Sequence, residues 1–306
     1  MIRNRARGCF LGQICGDAIG SCYEFSNRKK IINLSNRLGF EIIHPSAVFR
    51  TTAGQITDDT EMAVSLVNSF LEKKEIDIDN IKSHYNKWLK SKPFDIGNTV
   101  YYALSTGIVN NISQSNGSLM RCSPLAIMLL NRDFSECVDI IKKEAYITHS
   151  NYFVVSCNII YVMVLRYIIN YGYDKENIRK LIRNLIEDYS LDENVKELTS
   201  GEKPDNYELN CGWVKIAFQN AFYHLFRCND IKTAISETIR MGGDTDTNAA
   251  IVGAMIGAVE GESSFPSKWK KIIKSCEPDE FSRLPRPKYL WVNDYAEKVD
   301  KILNCI

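Results

Sequence analysis

Small residues recur at every fourth position in two separate segments of this 306-residue chain. The two stripes are Gly8, Gly12, Gly16 and Gly20, and then Ala249, Gly253, Gly257 and Gly261. Because residues i and i+4 share one face of an α-helix, each segment predicts a helix with a smooth stripe. Glycine inside a helix costs about 1 kcal/mol relative to alanine, so such a stripe is useful only where something packs very close. Helix–helix packing is the simpler interpretation, and a closely bound ligand is the alternative.

Apolar residues recur at helical spacing through most of the chain. The periodicity is clear in Met62–Leu71, Val154–Ile169, Ile178–Ile186, Val214–Phe226 and Ile231–Ile239. The segment Ile31–Val48 favours a short strand or an irregular loop, and the polar segment Leu191–Glu208 predicts a surface loop or a short helix. Four prolines interrupt Pro266–Pro287. Since no linker rich in Pro, Gly or Ser divides the chain, we predict a single all-α domain over residues 1–306.

The charge balance excludes a strongly basic or strongly acidic protein. Lys and Arg total 38 and Asp and Glu total 37, a net charge of +1, so we expect no direct nucleic-acid binding. The best apolar candidate for a membrane span, Ala249–Val259, has 11 residues where about 20 are needed, so we expect no membrane contact. The ten cysteines form no Cys-x-x-Cys pair, which is typical of reduced, mostly buried thiols in a cytoplasmic protein. We also expect a monomer.

Two acidic clusters of similar composition each open a predicted helix. The clusters are Thr57-Asp58-Asp59-Thr60-Glu61 and Gly242-Gly243-Asp244-Thr245-Asp246-Thr247-Asn248. N-capping explains one Thr or Asp in each cluster, but it does not require paired aspartates flanked by threonines. If the fold brings the two helix starts together, four carboxylates share a small volume and need a cation to stay ionised. Their hard oxygens suit Mg²⁺, Mn²⁺ or Ca²⁺, and two such ions would fit.

Several motifs appear in an order that resembles the ADP-ribosylglycohydrolase family, which includes dinitrogenase-reductase-activating glycohydrolase. Besides the two acidic clusters, they are Gly16-Asp17-Ala18-Ile19-Gly20 with Glu24-Phe25, Gly54-Gln55-Ile56, Asp95-Ile96-Gly97-Asn98-Thr99, Asn116-Gly117-Ser118-Leu119-Met120-Arg121 and Thr148-His149. Each motif is weak alone, but the ordered set, spanning residues 8–261, is specific. One departure is Ser150-Asn151-Tyr152-Phe153, where the family often has a proline.

The resemblance implies an all-α fold, a single orthogonal helical bundle with a central metal-containing cleft, that hydrolyses the glycosidic bond between ADP-ribose and an acceptor. It implies two divalent cations, Mg²⁺ or in some members Mn²⁺. The implied metal ligands are Thr57, Asp58, Asp59, Asp244, Asp246 and Thr247. The implied catalytic residues are Asp59, Glu24 and Asp95. The implied substrate-binding residues are Asn116, Gly117, Ser118, Met120, His149 and Gly243. The implied partner is an ADP-ribosylated protein or a small ADP-ribose conjugate.

Structural roles remain alternatives for several of these residues. Asp17, on a glycine-rich helix, favours a structural hydrogen-bonding role, and Arg121 favours pairing with a buried acid over binding a pyrophosphate. His149 is equally consistent with a structural and a functional role. Aromatic residues near the motifs could stack on adenine but more often belong to the core or surface. These aromatics are Tyr101, Tyr102, Tyr152 and Phe153.

Two other functions stay open beside the hydrolase. One is a non-catalytic ADP-ribose-binding or structural member of the same fold, which the retention of all six implied metal ligands disfavours. The other is a metal-dependent hydrolase of a different phosphorylated nucleoside. The acceptor is also open, although Asp95 favours arginine because a carboxylate pairs well with a guanidinium.

Overall fold

The structure, a computed structural model, describes residues 1–41, 46, 48–227 and 230–306, apart from the side chain of Leu38. Its α-helices are α1 Ile2–Gly20, α2 Arg28–Leu38, α3 Asp58–Lys73, α4 Ile78–Lys90, α5 Asn98–Thr106, α6 Ser123–Met128, α7 Phe134–Ala145, α8 Tyr152–Tyr171, α9 Lys175–Asp188, α10 Asn194–Leu198, α11 Val214–Arg227, α12 Ile231–Arg240, α13 Thr245–Glu260, α14 Ser267–Ser275 and α15 Tyr295–Cys305. Two 3₁₀ turns, Glu262–Ser264 and Lys288–Leu290, connect the last helices. Within the described ranges, β structure is limited to two isolated bridges. The all-α prediction is confirmed.

The two small-residue stripes face each other across the antiparallel helices α1 and α13. A Cβ atom built on Gly12 would lie 1.9 Å from the carbonyl oxygen of Gly253, and one built on Gly20 would lie 2.4 Å from that of Thr245. The two backbones are therefore in direct contact, and only glycine fits at Gly12 and Gly253. Helix–helix packing is confirmed for the stripes, and the alternative of a ligand lying on them is wrong.

Helix α8 is the most apolar element of the structure. It has 20 residues, and an 18-residue window within it has a mean hydropathy of 1.8, so it is long and apolar enough to cross a membrane by length and composition alone. Ser156, Asn158 and Arg166 interrupt its apolar run, which is why Ala249–Val259 stands out as the longer uninterrupted run in the sequence. The structure buries 83% of this window inside the protein, where α8 packs against α1, α6 and α7. A core helix explains this composition, and the absence of membrane contact stays a prediction.

Helix α2 replaces the strand or irregular loop expected over the first part of Ile31–Val48. Its N-cap is Asn27, whose side-chain oxygen accepts a hydrogen bond from the backbone N–H of Lys30. Ile31 is fully buried, and Leu34 packs partly buried against the core. This i, i+3 pair gives the helix its apolar face. In the remainder of the segment, residues 42–45 and 47 lie outside the described residues.

The prolines between Pro266 and Pro287 interrupt the helical structure, as the sequence predicts. Arg286, within this region, reaches the buried start of α3 and forms two charge-assisted hydrogen bonds of 2.7 and 2.8 Å with the carboxylate of Glu61. Trp88 donates a further hydrogen bond of 2.7 Å to the same carboxylate. A buried carboxylate needs such partners, so the last part of the chain holds the first acidic cluster in place.

Candidate active site and metal centre

Asp17 on α1 holds the start of α3. Its buried carboxylate accepts hydrogen bonds from the backbone N–H groups of Thr57, at 3.0 and 3.1 Å, and Thr60, at 3.1 Å. Burial raises the pKa of Asp17 to about 7, and these hydrogen bonds oppose the rise. The hydroxyl of Thr57 makes no capping bond but lies 3.0 Å from Asp17 Oδ1 and 2.9 Å from Asp59 Oδ2. The structural role expected for Asp17 agrees with this geometry.

Glu24 holds the start of α13 in a similar way. Its Oε2 accepts hydrogen bonds from the backbone N–H and the hydroxyl of Thr245, both at 2.8 Å. Asp244 occupies the N-cap position but makes no side-chain capping bond, and its Oδ2 instead accepts a 2.7 Å hydrogen bond from Nδ2 of Asn116. Burial, followed by repulsion from Asp244, raises the pKa of Glu24 to about 7. Capping therefore does not account for the second acidic cluster.

The two acidic clusters meet in one cleft of about 830 Å³. Asp58 and Asp59 at the start of α3 face Asp244 and Asp246 at the start of α13. Burial, and then repulsion from neighbouring carboxylates, raises the pKa of Asp58, of Asp59 and of Asp246 well above the usual range. For Asp246 these neighbours include Asp59 of the other cluster. The volume is typical of a small-molecule site.

The chemistry of this cleft fits a hard divalent cation. Carboxylate oxygens of Glu24, Asp244 and Asp246 lie within 4.8 Å of one another. Asp59 Oδ1 is buried and has no hydrogen-bond partner in the described part of the chain, which is costly unless another group, such as a cation, satisfies it. Among the described residues that line the cleft, none is Lys, Arg or His. The oxygen donors of these acids suit Mg²⁺, Mn²⁺ or Ca²⁺. Cys211 also lines the cleft, but burial and then the nearby acids raise the pKa of its thiol, which disfavours the thiolate that a soft metal would need.

Most of the predicted site residues line this cleft together. They are Glu24, Asp58, Asp59, Asp95, Asn116, Gly117, Met120, Gly243, Asp244, Asp246 and Thr247. Three others, Thr57, Ser118 and His149, lie behind its wall. Thr57 nevertheless contacts the Asp59 carboxylate directly. Burial and the charges of neighbouring acids, first Asp244, raise the pKa of Asp95.

Ser118 and His149 support the loop that lines the cleft and do not face its interior. His149 is fully buried, and its two ring nitrogens lie 2.8 Å from the hydroxyls of Ser115 and Thr148. Burial lowers the pKa of His149 to about 3, so the ring is neutral. The Ser118 hydroxyl accepts a 2.8 Å hydrogen bond from Asn158. Direct substrate contact, expected for both residues, does not fit this geometry, and a positioning role does.

Arg121 is also structural. Its Nε donates a 2.7 Å hydrogen bond to Oε1 of Glu144, and both side chains are completely buried. The hydroxyl of Tyr85 donates to the same carboxylate oxygen at 2.6 Å. The preference for a buried acid over a pyrophosphate is therefore supported by the position of Arg121.

One side of the cleft is formed by a loop that no sequence motif predicted. Glu208, Cys211 and Gly212 line it, although Leu191–Glu208 reads only as a polar surface segment. The backbone N–H of Asn116 donates a 2.9 Å hydrogen bond to the carbonyl of Gly212, which joins this loop to the one before α6. Hydrogen bonds between segments so distant in sequence have no local signal.

Phe25 is a second residue that the sequence analysis left without a role. It lines the cleft with 74% of its surface exposed and with a left-handed φ of 53°. Its ring lies 5.9 Å from that of Phe49. A strained, exposed aromatic at a cleft is available to a ligand. The aromatics suggested by the sequence do not line the described cleft.

The all-α fold and the two acidic helix starts that face one cleft fit the class of hydrolases that use hard divalent cations. A family model for ADP-ribosylglycohydrolase matches residues 1–300. The chain belongs to the ADP-ribosylglycohydrolase family. It is an enzyme that cleaves glycosidic bonds and removes ADP-ribose from acceptors, as the sequence motifs predict.

Named relatives cover nearly the whole chain. An ADP-ribosyl glycohydrolase by name from Acanthamoeba polyphaga mimivirus is 31% identical, over 92% of this chain and 94% of its own. The ADP-ribosyl-dinitrogen-reductase glycohydrolase of Rhodospirillum rubrum is 27% identical, over 88% and 90%. The ADP-ribosylarginine hydrolase of Pseudomonas putida is 26% identical, over 92% and 79%. A solved structure described as an ADP-ribosylglycohydrolase-related protein complex shares the fold, with a TM-score of 0.77 at 21% identity over 99% of this chain and 97% of that one.

Proposed function

We propose that this protein removes ADP-ribose from arginine side chains of proteins, by hydrolysis that depends on two Mg²⁺ ions. The observation that carries the acceptor is a cleft whose described lining contains seven carboxylates and no cationic side chain. Such a cleft suits the positively charged guanidinium of an arginine acceptor. The relative from Pseudomonas putida carries the name of an ADP-ribosylarginine hydrolase, which supports the same choice.

The residues that would hold the ions are those of the two acidic helix starts. They are Thr57, Asp58, Asp59, Asp244, Asp246 and Thr247, and Glu24 lies close enough to two of them to join the set. When bound, the ions supply charge compensation and Lewis acidity. Hard oxygen donors suit both Mg²⁺ and Mn²⁺; we choose Mg²⁺ because the resemblance in sequence implies it first, and the release assay repeated with Mn²⁺ tests the alternative.

The side chains of the cleft then act on the substrate. Asp59, with a buried Oδ1 that has no partner among the described residues, orients the attacking water and accepts its proton. Asp95, half-buried at the cleft, pairs with the guanidinium and holds it as the C–N bond breaks. Glu24 orients the ribose hydroxyls. Bond cleavage passes through an oxocarbenium-like state, as in other glycosidases.

The loop Ser115–Met120 and Gly243 form the wall against which the ADP-ribose lies. Gly243 has a φ of 77°, and a Cβ there would lie 2.0 Å from the carbonyl oxygen of Tyr207, so the residue must be glycine. His149 and Ser118 fix the loop from behind. Backbone groups of Asn116 and Gly117 are thereby positioned to contact the substrate.

A release assay over defined conjugates tests this function. We expect release of ADP-ribose from ADP-ribosylarginine with Mg²⁺ and none with EDTA. Asp95→Asn should lower kcat/KM for that conjugate by about 10- to 100-fold, the loss expected for one hydrogen bond to a charged group. It should change the value for ADP-ribosylserine far less. The exposed Asp139→Asn is the matched control. Preference of the wild type for the serine conjugate would refute the proposed acceptor.

Membership of the ADP-ribosylglycohydrolase family disfavours the two other functions. A non-catalytic ADP-ribose reader would bind ADP-ribose in calorimetry without turnover, and a hydrolase of another phosphorylated nucleoside would bind AMP or ribose phosphate in its place. A monomeric state, a cytoplasmic location and the absence of direct nucleic-acid binding remain predictions.

A further inference from the structure

The outer face of α2 is strongly basic. Arg28, Lys29, Lys30 and Arg37 are exposed, and the helix contains no acidic residue. Over the described parts of the chain, none of these four side chains forms an ion pair. Residues 42–45, 47 and 228–229 contain no Asp or Glu. The charge on this face is therefore available to a partner outside the protein.

This basic face borders a shallow groove that shares one lining residue with the active-site cleft. The groove, of about 310 Å³, is lined by Asn27, Lys29, Lys30, Asn33, Leu34 and Arg37. Asn27 also lines the cleft. The backbone N–H of Arg28 donates a 2.6 Å hydrogen bond to Glu208, which lines the cleft as well. A polypeptide bound at the Asn27 side of the cleft therefore has the groove beside it.

Two further basic residues, Lys203 and Arg227, lie close enough to Arg28 for the charges to influence one another. The pKa of Lys203 is lowered by burial and by the positive charges of Arg28 and Arg227, which outweigh the opposing effect of Glu237. The positive field at this rim contrasts with the cleft floor, whose described lining carries only acidic charges. Such a division favours a protein substrate whose acidic side chains lie on this basic rim while the ADP-ribosylated residue enters the cleft.

We propose that the basic face of α2 is a docking surface for an acidic segment of the ADP-ribosylated protein. The proposal rests on the proposed function, because it assigns the polypeptide that carries the acceptor to the groove. Lys30 and Arg37 are seven residues apart, about 10 Å along the helix at 1.5 Å per residue. An extended peptide covers that distance in about three residues, with Leu34 between the two charges as an apolar contact.

Two synthetic peptides test this surface. Both carry ADP-ribosylarginine, one beside four glutamates and the other beside four glutamines. The test variant is Lys30→Glu with Arg37→Glu. The control is Lys271→Glu with Lys274→Glu on the exposed face of α14, which makes the same change in net charge. Hydrolysis is measured with Mg²⁺ at low ionic strength. Binding is measured separately by fluorescence anisotropy in EDTA, so that docking is also measured in the absence of turnover.

We expect the wild type and the control variant to prefer the glutamate peptide. In the test variant, kcat/KM and affinity for that peptide should fall about five- to tenfold, the size of two or three surface charge pairs. The glutamine peptide and free ADP-ribosylarginine should react as before. The preference should also fade with added salt, since charges are screened over about 10 Å at 0.1 M.

Three results would overturn the proposal. The first is equal binding of both peptides by the wild type, and the second is an equal loss of preference in the control variant. The third is binding of single-stranded RNA or of anionic vesicles without any preference between the peptides, which would assign the face to another polyanion. Failure to hydrolyse free ADP-ribosylarginine refutes the proposed function instead, while the anisotropy measurement still decides the docking.

Discussion

Replacing Gly12 by alanine tests whether the contact between α1 and α13 holds the active site together. The added methyl group would lie 1.9 Å from the carbonyl oxygen and 2.5 Å from the carbonyl carbon of Gly253. These atoms are backbone, so no side chain can rotate away. The two helices must move apart by about 1.5 Å to reach an ordinary contact distance of about 3.5 Å.

Two effects of opposite sign set the change in stability. Alanine is favoured over glycine in a helix by about 1 kcal/mol. Overpacking in a tight interface costs about 3 kcal/mol at the upper end of its usual range, and this contact lies at that end because backbone opposes it. The net loss in free energy of unfolding should be about 2 kcal/mol. A similar loss is expected for Gly253→Ala, because its Cβ would lie 2.1 Å from the Gly12 carbonyl oxygen.

The helix separation should also weaken cation binding. Glu24 follows the end of α1 and holds the start of α13 through Thr245, so a shift of about 1 Å displaces ligands on one side of the cleft from those on the other. We expect Mg²⁺ affinity to fall about tenfold or more.

Urea unfolding followed by circular dichroism gives the stability, and isothermal calorimetry gives the Mg²⁺ affinity. Gly97→Ala is the stability control, because a Cβ there meets no atom within 4 Å. It should change stability by less than about 1 kcal/mol, as expected for the N-cap of α5. If Gly12→Ala is as stable as the wild type or more stable, helix propensity dominates and the reasoning from backbone contact is refuted.

Three further predictions concern the buried charges. Asp58→Asn combined with Asp59→Asn should abolish Mg²⁺ binding in calorimetry and hydrolysis while the helical circular dichroism persists; undiminished activity would end the metal-site proposal. The raised pKa values of Asp17 and Glu24, about 7 each, mean that the folded metal-free protein binds protons that the unfolded chain has released. Its melting temperature should therefore fall as pH rises from about 4 through about 7, and Mg²⁺ should flatten this dependence, whereas a rise would contradict the pKa directions. Arg286→Met leaves its carboxylate partner on α3 buried without a counter-charge and should cost about 3–5 kcal/mol in urea unfolding; a loss below 1 kcal/mol would contradict a buried ion pair.

The repeated patterns predicted the framework and the cleft. The every-fourth spacing of glycine predicted two helices with a close contact, and the structure shows that they contact each other. The repeated Thr–Asp composition predicted two acidic helix starts that could share a cation site, and both line one cleft. These predictions succeed because helical periodicity and cluster composition are local properties of the sequence.

The remaining details depend on contacts between segments distant in sequence. His149 belongs to a family-like motif, but whether it faces the cleft is decided by the hydroxyls of Ser115 and Thr148 that enclose it. Glu208 lies in a polar loop that is positioned by two contacts. Gly212 of this loop accepts a hydrogen bond from the backbone of Asn116, and the carbonyl of Tyr207 packs where a Cβ atom on Gly243 would lie. Neither the orientation of His149 nor the position of Glu208 produces a periodic pattern in the sequence.

The antiparallel pairing of α1 with α13 has a consequence for biosynthesis. Residues that meet across this contact are more than 220 positions apart, as for Gly20 and Thr245, and such non-local pairs form slowly. A ribosome would release α1 long before α13 exists to cover it. The glycine face of α1 therefore stays uncovered in the nascent chain until α13 has been synthesised, and the active site can form only at the final stage of translation.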